Sequence, residues 1–197
     1  MKRATVSDLS KAPYDILVIG SGITGGVALR DAALRGLKTA LIEKDDFAWV
    51  ASSRSTKLRH GGLRYRERYE FGMVREACRE KELMLKLAPH LSYPRPFLYL
   101  QYKGYPEGML KLKVGLTFYE LVSGNPLVRR HKMLNRKKKL MEMEPHLNKE
   151  GLKGCGYYFD FLTDDARLTI DTIKSGAEAG GHIANYQACL AIIWKKN

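Results

Sequence analysis

An α/β fold with a parallel sheet is what this sequence predicts, and three observations carry the prediction. YDILVIG, at 14–20, is a short apolar run closed by glycine, as a buried parallel strand reads. KTALIEK, at 38–44, is a second such run and ends in an acid. Between them lies a helical pattern, so the whole is one strand–helix–strand unit of about 30 residues, the length of a βαβ crossover.

The elements follow in order. Residues 1–13 have neither a long apolar run nor a helical stripe and are expected as a flexible N-terminal segment, with neither a secretory signal nor a transit peptide expected there. After the first strand, Val27, Leu29, Ala33 and Leu34 fall at helical spacing, and Gly36 suits the helix C-terminus. Residues 45–68 show no period. The stretch 70–91 reads as a helix with Met73, Ala77, Leu83, Leu87 and Leu91 as apolar positions, strained or ended by Pro89. A strand follows Pro96. Residues 107–124 read as a helix weakened by Gly115, and 151–161 as a strand punctuated by glycine. DDARLTIDTIKSGAEAGG, at 164–181, reads as a helix capped by Asp164, with Asp165 in its first turn and a glycine pair at its end. Residues 182–197 read as one or two strands. The organisation expected is a βαβ unit with a loop and helix over 14–91, an insertion carrying a basic run over 92–160, and a return to the first domain over 161–197.

Composition narrows the function. An apolar share of 45% and a charged share of 28% are those of a folded domain. Lys and Arg number 34 against 21 Asp and Glu, a formal charge of +13, so the surface attracts anions. The run RRHKMLNRKKK, at 129–139, concentrates that charge; it reads as a solvated face before a nucleic-acid or membrane contact. No stacking motif accompanies it, and nucleic acid is not an expected partner. Cys78, Cys155 and Cys189 are widely spaced, which argues against zinc or a disulfide framework and fits a reducing compartment. No metal site is expected.

The strongest motif is Gly20-Ser21-Gly22-Ile23-Thr24-Gly25, a G-x-G-x-x-G set between a strand and a helix. The first glycine permits the tight turn, the second lets backbone approach a pyrophosphate, and the third lets helix and sheet pack closely. The helix N-terminus adds N–H donors and a positive dipole end. Glu43 closes the second strand and can accept from both ribose hydroxyls, which disfavours a 2′-phosphate. The fold is therefore Rossmann-like. This unit alone leaves NAD and FAD open; the long polar loop after Glu43, in place of another helix and strand, favours FAD.

That loop holds SSRSTKLRHGGLRY, at 52–65. Together with GSGITGG, YEF, APHL and TDDARLT, it resembles the FAD-dependent glycerol-3-phosphate dehydrogenases and the related oxidases, from about Tyr14 to the C-terminus. The resemblance implies an FAD-binding fold of the glutathione-reductase type, here incomplete because family members are more than twice as long. It implies oxidation of sn-glycerol 3-phosphate to dihydroxyacetone phosphate, with electrons passing to quinone or oxygen. It also implies a cytoplasmic protein, peripheral on the inner face of the membrane.

Carried onto this sequence, the resemblance puts Gly20, Ser21, Gly22, Ile23, Thr24 and Gly25 at the FAD pyrophosphate, with Glu43 and Lys44 at the ribose. Ser52, Ser53, Ser55, Thr56 and Lys57 lie along pyrophosphate and flavin. His60, Gly61 and Gly62 approach the isoalloxazine, His60 being the catalytic candidate. Arg64 and Tyr65 face the substrate, and the Arg64 fork suits its phosphate. Hydroxyls and glycine backbone can meet phosphates and a flat ring without bulk. Asp164, Asp165 and Arg167 read as a cap and a local ion pair. Trp49, Val50, Ala51 and Arg59 depart from the family pattern. One wall of a site is expected from this chain alone, with weak FAD affinity and little or no turnover.

Overall fold

The computed structural model describes residues 2–11, 13–59, 71–106, 108–123 and 130–194. The chain forms two compact units, Met1–Lys57 with Asp164–Asn197, and Leu58–Thr163.

The first unit is built on a parallel sheet of β1 (Ile16–Ile19), β2 (Thr39–Ile42) and β7 (His182–Ala184), in the order β1-β2-β7. Ile16 pairs with Thr39 and Ala40 with His182. The crossover between β1 and β2 is α2 (Ile23–Leu34), and α6 (Asp165–Glu178) leads into β7. The two helices pack through small residues. A Cβ on Gly26 would stand 3.0 Å from Ile173, and one on Gly176 3.0 Å from Leu29. That proximity buries Leu29, Leu41, Phe47, Ile173 and Ile183 as one core, each at most 8% exposed.

The first strand departs from expectation. The sequence reads it as buried, yet Leu17 and Ile19 are each 52% exposed and Ile16 is 37% exposed. The reason is position: among the described residues β1 pairs with β2 alone and lies at the sheet edge. In the C-terminal stretch, where one or two strands are expected, the three residues of β7 are the one described strand. Beyond them Leu190, Ile193 and Trp194 are exposed. The N-terminal residues 5–10 form a capped turn, α1 (Val6–Leu9), in which the Thr5 hydroxyl accepts from the Asp8 N–H and Asp8 accepts from Thr5. The Ala4 N–H donates to the Ile183 carbonyl at 2.8 Å.

The second unit is antiparallel. β6 (Leu152–Thr163) pairs along its length with β4 (Ser92–Tyr102), with an irregularity between Gln101 and Tyr102. The other edge of β6 carries β5 (Lys132–Leu134) and the two-residue β3 (Leu58–Arg59). α4 (Met109–Ser123) lies on this sheet, where a Cβ on Gly156 would meet Leu116 at 2.5 Å. α5 (Lys137–Met143) places Leu140 against Leu152 and Cys155. Burial pushes the Cys155 thiol up to about 11, which makes it an inert core group. α3 (Phe71–Leu87) ends two residues before Pro89, as the clash between proline and a continuing helix requires.

Leu29 is the hinge of packing in the first unit, fully buried and touched from α6 and from the turn before β7. Leu29→Ala should cost about 2–5 kcal/mol, the range for a large-to-small core change. Urea unfolding followed by circular dichroism measures it, and an unchanged midpoint would show that this contact does not hold the unit together.

Candidate dinucleotide site

The glycine motif forms the turn from β1 into α2. Gly20 has φ +103°, a left-handed conformation that favours glycine, and its N–H donates to the Ile42 carbonyl at 2.8 Å. Gly22 is the N-cap residue of α2. A Cβ on Gly25 would fall 2.0 Å from the Gly20 carbonyl oxygen, so no side chain fits there. The first-turn amides of α2, which have no partner within the helix, therefore stand directly over the end of β1. That is a cradle for an anion.

Ser21 is fully buried and tied to the end of β2. Its N–H and hydroxyl both donate to Glu43 Oε2, at 2.8 and 2.9 Å. Glu43 Oε1 accepts from the Asp45 N–H at 3.0 Å. Partial burial works against the Glu43 charge, but the hydrogen bonds from Asp45 and Ser21 outweigh it and hold the carboxyl below its usual value. The carboxylate thus stays ionised, with Oε2 engaged by Ser21 and acceptor capacity remaining on Oε1. Lys44 is exposed and lies 3.9 Å from Asp45, a surface pair of little energetic weight. Ile23 and Thr24 are exposed at the start of α2.

The serine loop comes to the same place. Ser52 Oγ accepts from the Ile23 N–H at 2.9 Å, so a hydroxyl 29 residues away satisfies the first amide of α2. It sits in a short 3-10 turn, Ala51–Ser53. The Ser53 hydroxyl donates back to the Trp49 and Val50 carbonyls at 3.1 and 3.2 Å. Trp49 is half exposed, with the Arg54 guanidinium 5.2 Å from its ring centroid. The atypical Trp49-Val50-Ala51 segment thus builds the turn that presents Ser52.

Further along the loop, the Ser55 N–H and hydroxyl donate to Asp165 Oδ2, at 3.2 and 2.5 Å, and Ser55 Oγ accepts from the Lys57 N–H at 2.9 Å. Lys57 has φ +59°, a conformation that costs a non-glycine residue energy. Thr56 and Lys57 are exposed. Asp165 is the residue the sequence undervalued. Asp164 does cap α6, accepting from the Arg167 N–H at 3.1 Å, and Arg167 pairs with Asp171 at 3.6 Å. Asp165, however, anchors the loop 110 residues earlier. A polar loop followed by an acidic first turn was the signal, but nothing in spacing joins them. His60, Gly61, Gly62, Arg64 and Tyr65 lie outside the described residues, and the Arg59 side chain likewise.

The site therefore has the parts a dinucleotide needs: a side-chain-free turn, helix amides above it, a carboxylate at the end of the adjacent strand, and the Ser52 hydroxyl brought in from a second loop. Comparisons with known proteins identify the family. The FAD dependent oxidoreductase family model matches residues 15–197. The aerobic glycerol-3-phosphate dehydrogenase of Staphylococcus aureus (strain USA300) is 44% identical over 191 residues, which are 96% of this chain and 34% of that protein. The glycerol-3-phosphate dehydrogenase from Bacillus halodurans, solved in complex with FAD, superposes with a TM-score of 0.70 at 34% identity, covering 97% of this chain and 30% of that one. Glycine oxidase from Bacillus cereus superposes with a TM-score of 0.63 at 21% identity, covering 93% and 50%; at that identity it shows the shared fold alone. The chain spans about a third of the length of the curated relatives it matches.

Asp165 gives a pH-dependent test. Its partial burial opposes the charge, but hydrogen bonds from Ser55 and Ala166, with the nearby Lys57, bring its carboxyl below the ordinary 3.8. A carboxyl lowered on folding stabilises above its unfolded value, and that contribution is lost as pH falls through the folded value. Asp165→Asn should be less stable than wild type at pH 7, and the gap should close below about pH 4. Thermal unfolding across pH 3–7 measures this; a gap independent of pH would refute the charge-assisted anchor.

Proposed function

We infer, since this chain belongs to the FAD dependent oxidoreductase family, that it forms the dinucleotide-binding part of an FAD-linked glycerol-3-phosphate dehydrogenase. The observation that carries this reading is the contact of Gly25 with the Gly20 carbonyl, which brings the α2 amides over β1 beside the Glu43 carboxylate. The 44% identity to the aerobic enzyme of Staphylococcus aureus supports the choice of substrate.

In this reading Gly20, Gly22 and Gly25 admit the pyrophosphate to the backbone, and the positive end of α2 offsets its charge. Glu43 receives a ribose hydroxyl on Oε1, while Ser21 fixes the carboxylate through Oε2. Ser52 and Ser53 line the approach with hydroxyls, and Ser55, held by Asp165, sets the path of Thr56 and Lys57. His60, Gly61 and Gly62 would hold the isoalloxazine, with His60 the catalytic candidate. Arg64 takes the substrate phosphate through its fork, beside Tyr65. FAD, when bound, supplies the acceptor for the hydride leaving C2 of glycerol 3-phosphate, which becomes dihydroxyacetone phosphate. Quinone or oxygen takes the electrons onward. Hydride transfer needs flavin, substrate carbon and a base held together, and this chain contributes one wall of that arrangement.

FAD fluorescence quenching tests the cofactor site. Gly25→Ala should weaken FAD binding at least ~10-fold, about 1.4 kcal/mol, because its Cβ collides with backbone. Gly72→Ala, where a Cβ meets nothing within 4 Å, should bind as wild type does. Equal binding by all three proteins would refute the assignment.

Peripheral membrane contact belongs to the same proposal. None of the helices among the described residues is long and apolar enough to cross a membrane. The stretch 130–139 carries six Lys and Arg and no acid, a charge pattern that acidic headgroups attract. Sedimentation with phosphatidylglycerol vesicles should fall on adding salt and in Lys137→Glu/Lys138→Glu/Lys139→Glu. Binding indifferent to both would refute the contact.

A further inference from the structure

The end of the parallel sheet opposite the glycine turn carries a concavity. It lies within the first unit, where Tyr14, Lys38 and Gly181 precede the three strands, and encloses about 840 Å³. That is within the size range of small-molecule sites. One wall is the N-terminal segment, pinned there by the bond from the Ala4 N–H to the Ile183 carbonyl. The end of α6 forms another.

Its charge is one-sided. Lys2, Arg3, Lys11, Lys38 and Lys174 line it, against Asp8 and Glu178. The two acids are both engaged, Asp8 by Lys11 at 2.7 Å and Glu178 by Lys174 at 3.9 Å. Lys2, Arg3 and Lys38 make no ion pair among those described, so three cations from two separated segments converge on one space. The rim adds directional groups. Tyr14 Oη lies 2.5 Å from His182 Nδ1, and the rings meet edge-on at 5.6 Å. When the phenol donates to Nδ1, the proton on His182 sits at Nε2, a donor available to a ligand.

We propose that this cavity binds a phosphate-bearing ligand, separately from the dinucleotide site. A guanidinium and two ammonium groups match the charge of a phosphate ester or diphosphate, and Ala177 and Ile183 give the cavity an apolar floor. The ester can be a soluble molecule or a lipid headgroup, since the recognising chemistry is the same.

The test is the full chain titrated with inorganic pyrophosphate at low ionic strength, read by the His182 imidazole and Tyr14 signals in NMR. Phosphatidylglycerol vesicles are a second arm. Two variants carry the same change in charge: Lys2→Glu/Arg3→Glu/Lys38→Glu, within the cavity, and Lys103→Glu/Lys113→Glu/Lys149→Glu, exposed and outside both the cavity and the basic run. Saturable shifts at His182 with pyrophosphate, lost at least tenfold in affinity only in the first variant, support the proposal and assign a soluble ligand. The same selectivity with vesicles alone supports it and assigns a headgroup. Circular dichroism shows whether each variant is folded; where the first is not, the wild-type His182 shift decides. Equal loss in both variants, shifts confined to the Gly20–Gly25 amides, or no shift at His182 with either probe would overturn it.

Discussion

The close approach of α2 to the turn that precedes it is the constraint on which the first unit depends. With 2.0 Å between a Cβ at Gly25 and the Gly20 carbonyl oxygen, the helix is pressed as near to β1 as a backbone allows. Everything else follows from that proximity. The helix amides reach the end of the strand, Ile23 comes within reach of Ser52, and the far side of α2 meets α6 across Gly26 and Gly176. Small residues on both faces of one helix thus serve two ends: a bare cradle in front and a dense contact behind. The packing that stabilises the unit also positions the site.

Much of this was legible in the sequence because it is local. Apolar runs, a glycine motif and an acid 23 residues after the first glycine specify β1, α2 and β2 with Glu43 at the right end. The family resemblance supplied the rest of the cofactor reading. What could not be read is non-local. Ser55 and Asp165 are 110 residues apart, and no periodicity links a loop serine to a helix first-turn acid. Leu58 and Arg59 read as loop because two residues cannot show a period; they become a strand only by pairing with Phe161 and Leu162. β1 misled in the opposite direction. Its apolar run matches a buried strand, but burial is a property of its neighbours.

The loop after Glu43 is held at two points of different character. Ser52 accepts a single hydrogen bond from a neutral amide, whereas Ser55 donates to an ionised carboxylate. The second bond is the stronger kind. The loop is therefore fixed more firmly at its C-terminal anchor, next to Lys57, whose left-handed backbone needs support from its surroundings. The sequence between the anchors, Ser53 and Arg54, follows a path set from both ends.

The exposed edge of β1 also bears on how the chain behaves in solution. Among the described residues β1 has one open side; a short apolar strand so placed is a template for strand addition by a second molecule, and Leu17 and Ile19 would make such a pairing adhesive. The chain opposes this by long-range repulsion. Its net charge of +13 keeps molecules apart at low salt, and screening shortens that protection to about 10 Å at 0.1 M ionic strength. The basic composition thus acts as a colloidal guard for the strand that leads into the glycine turn.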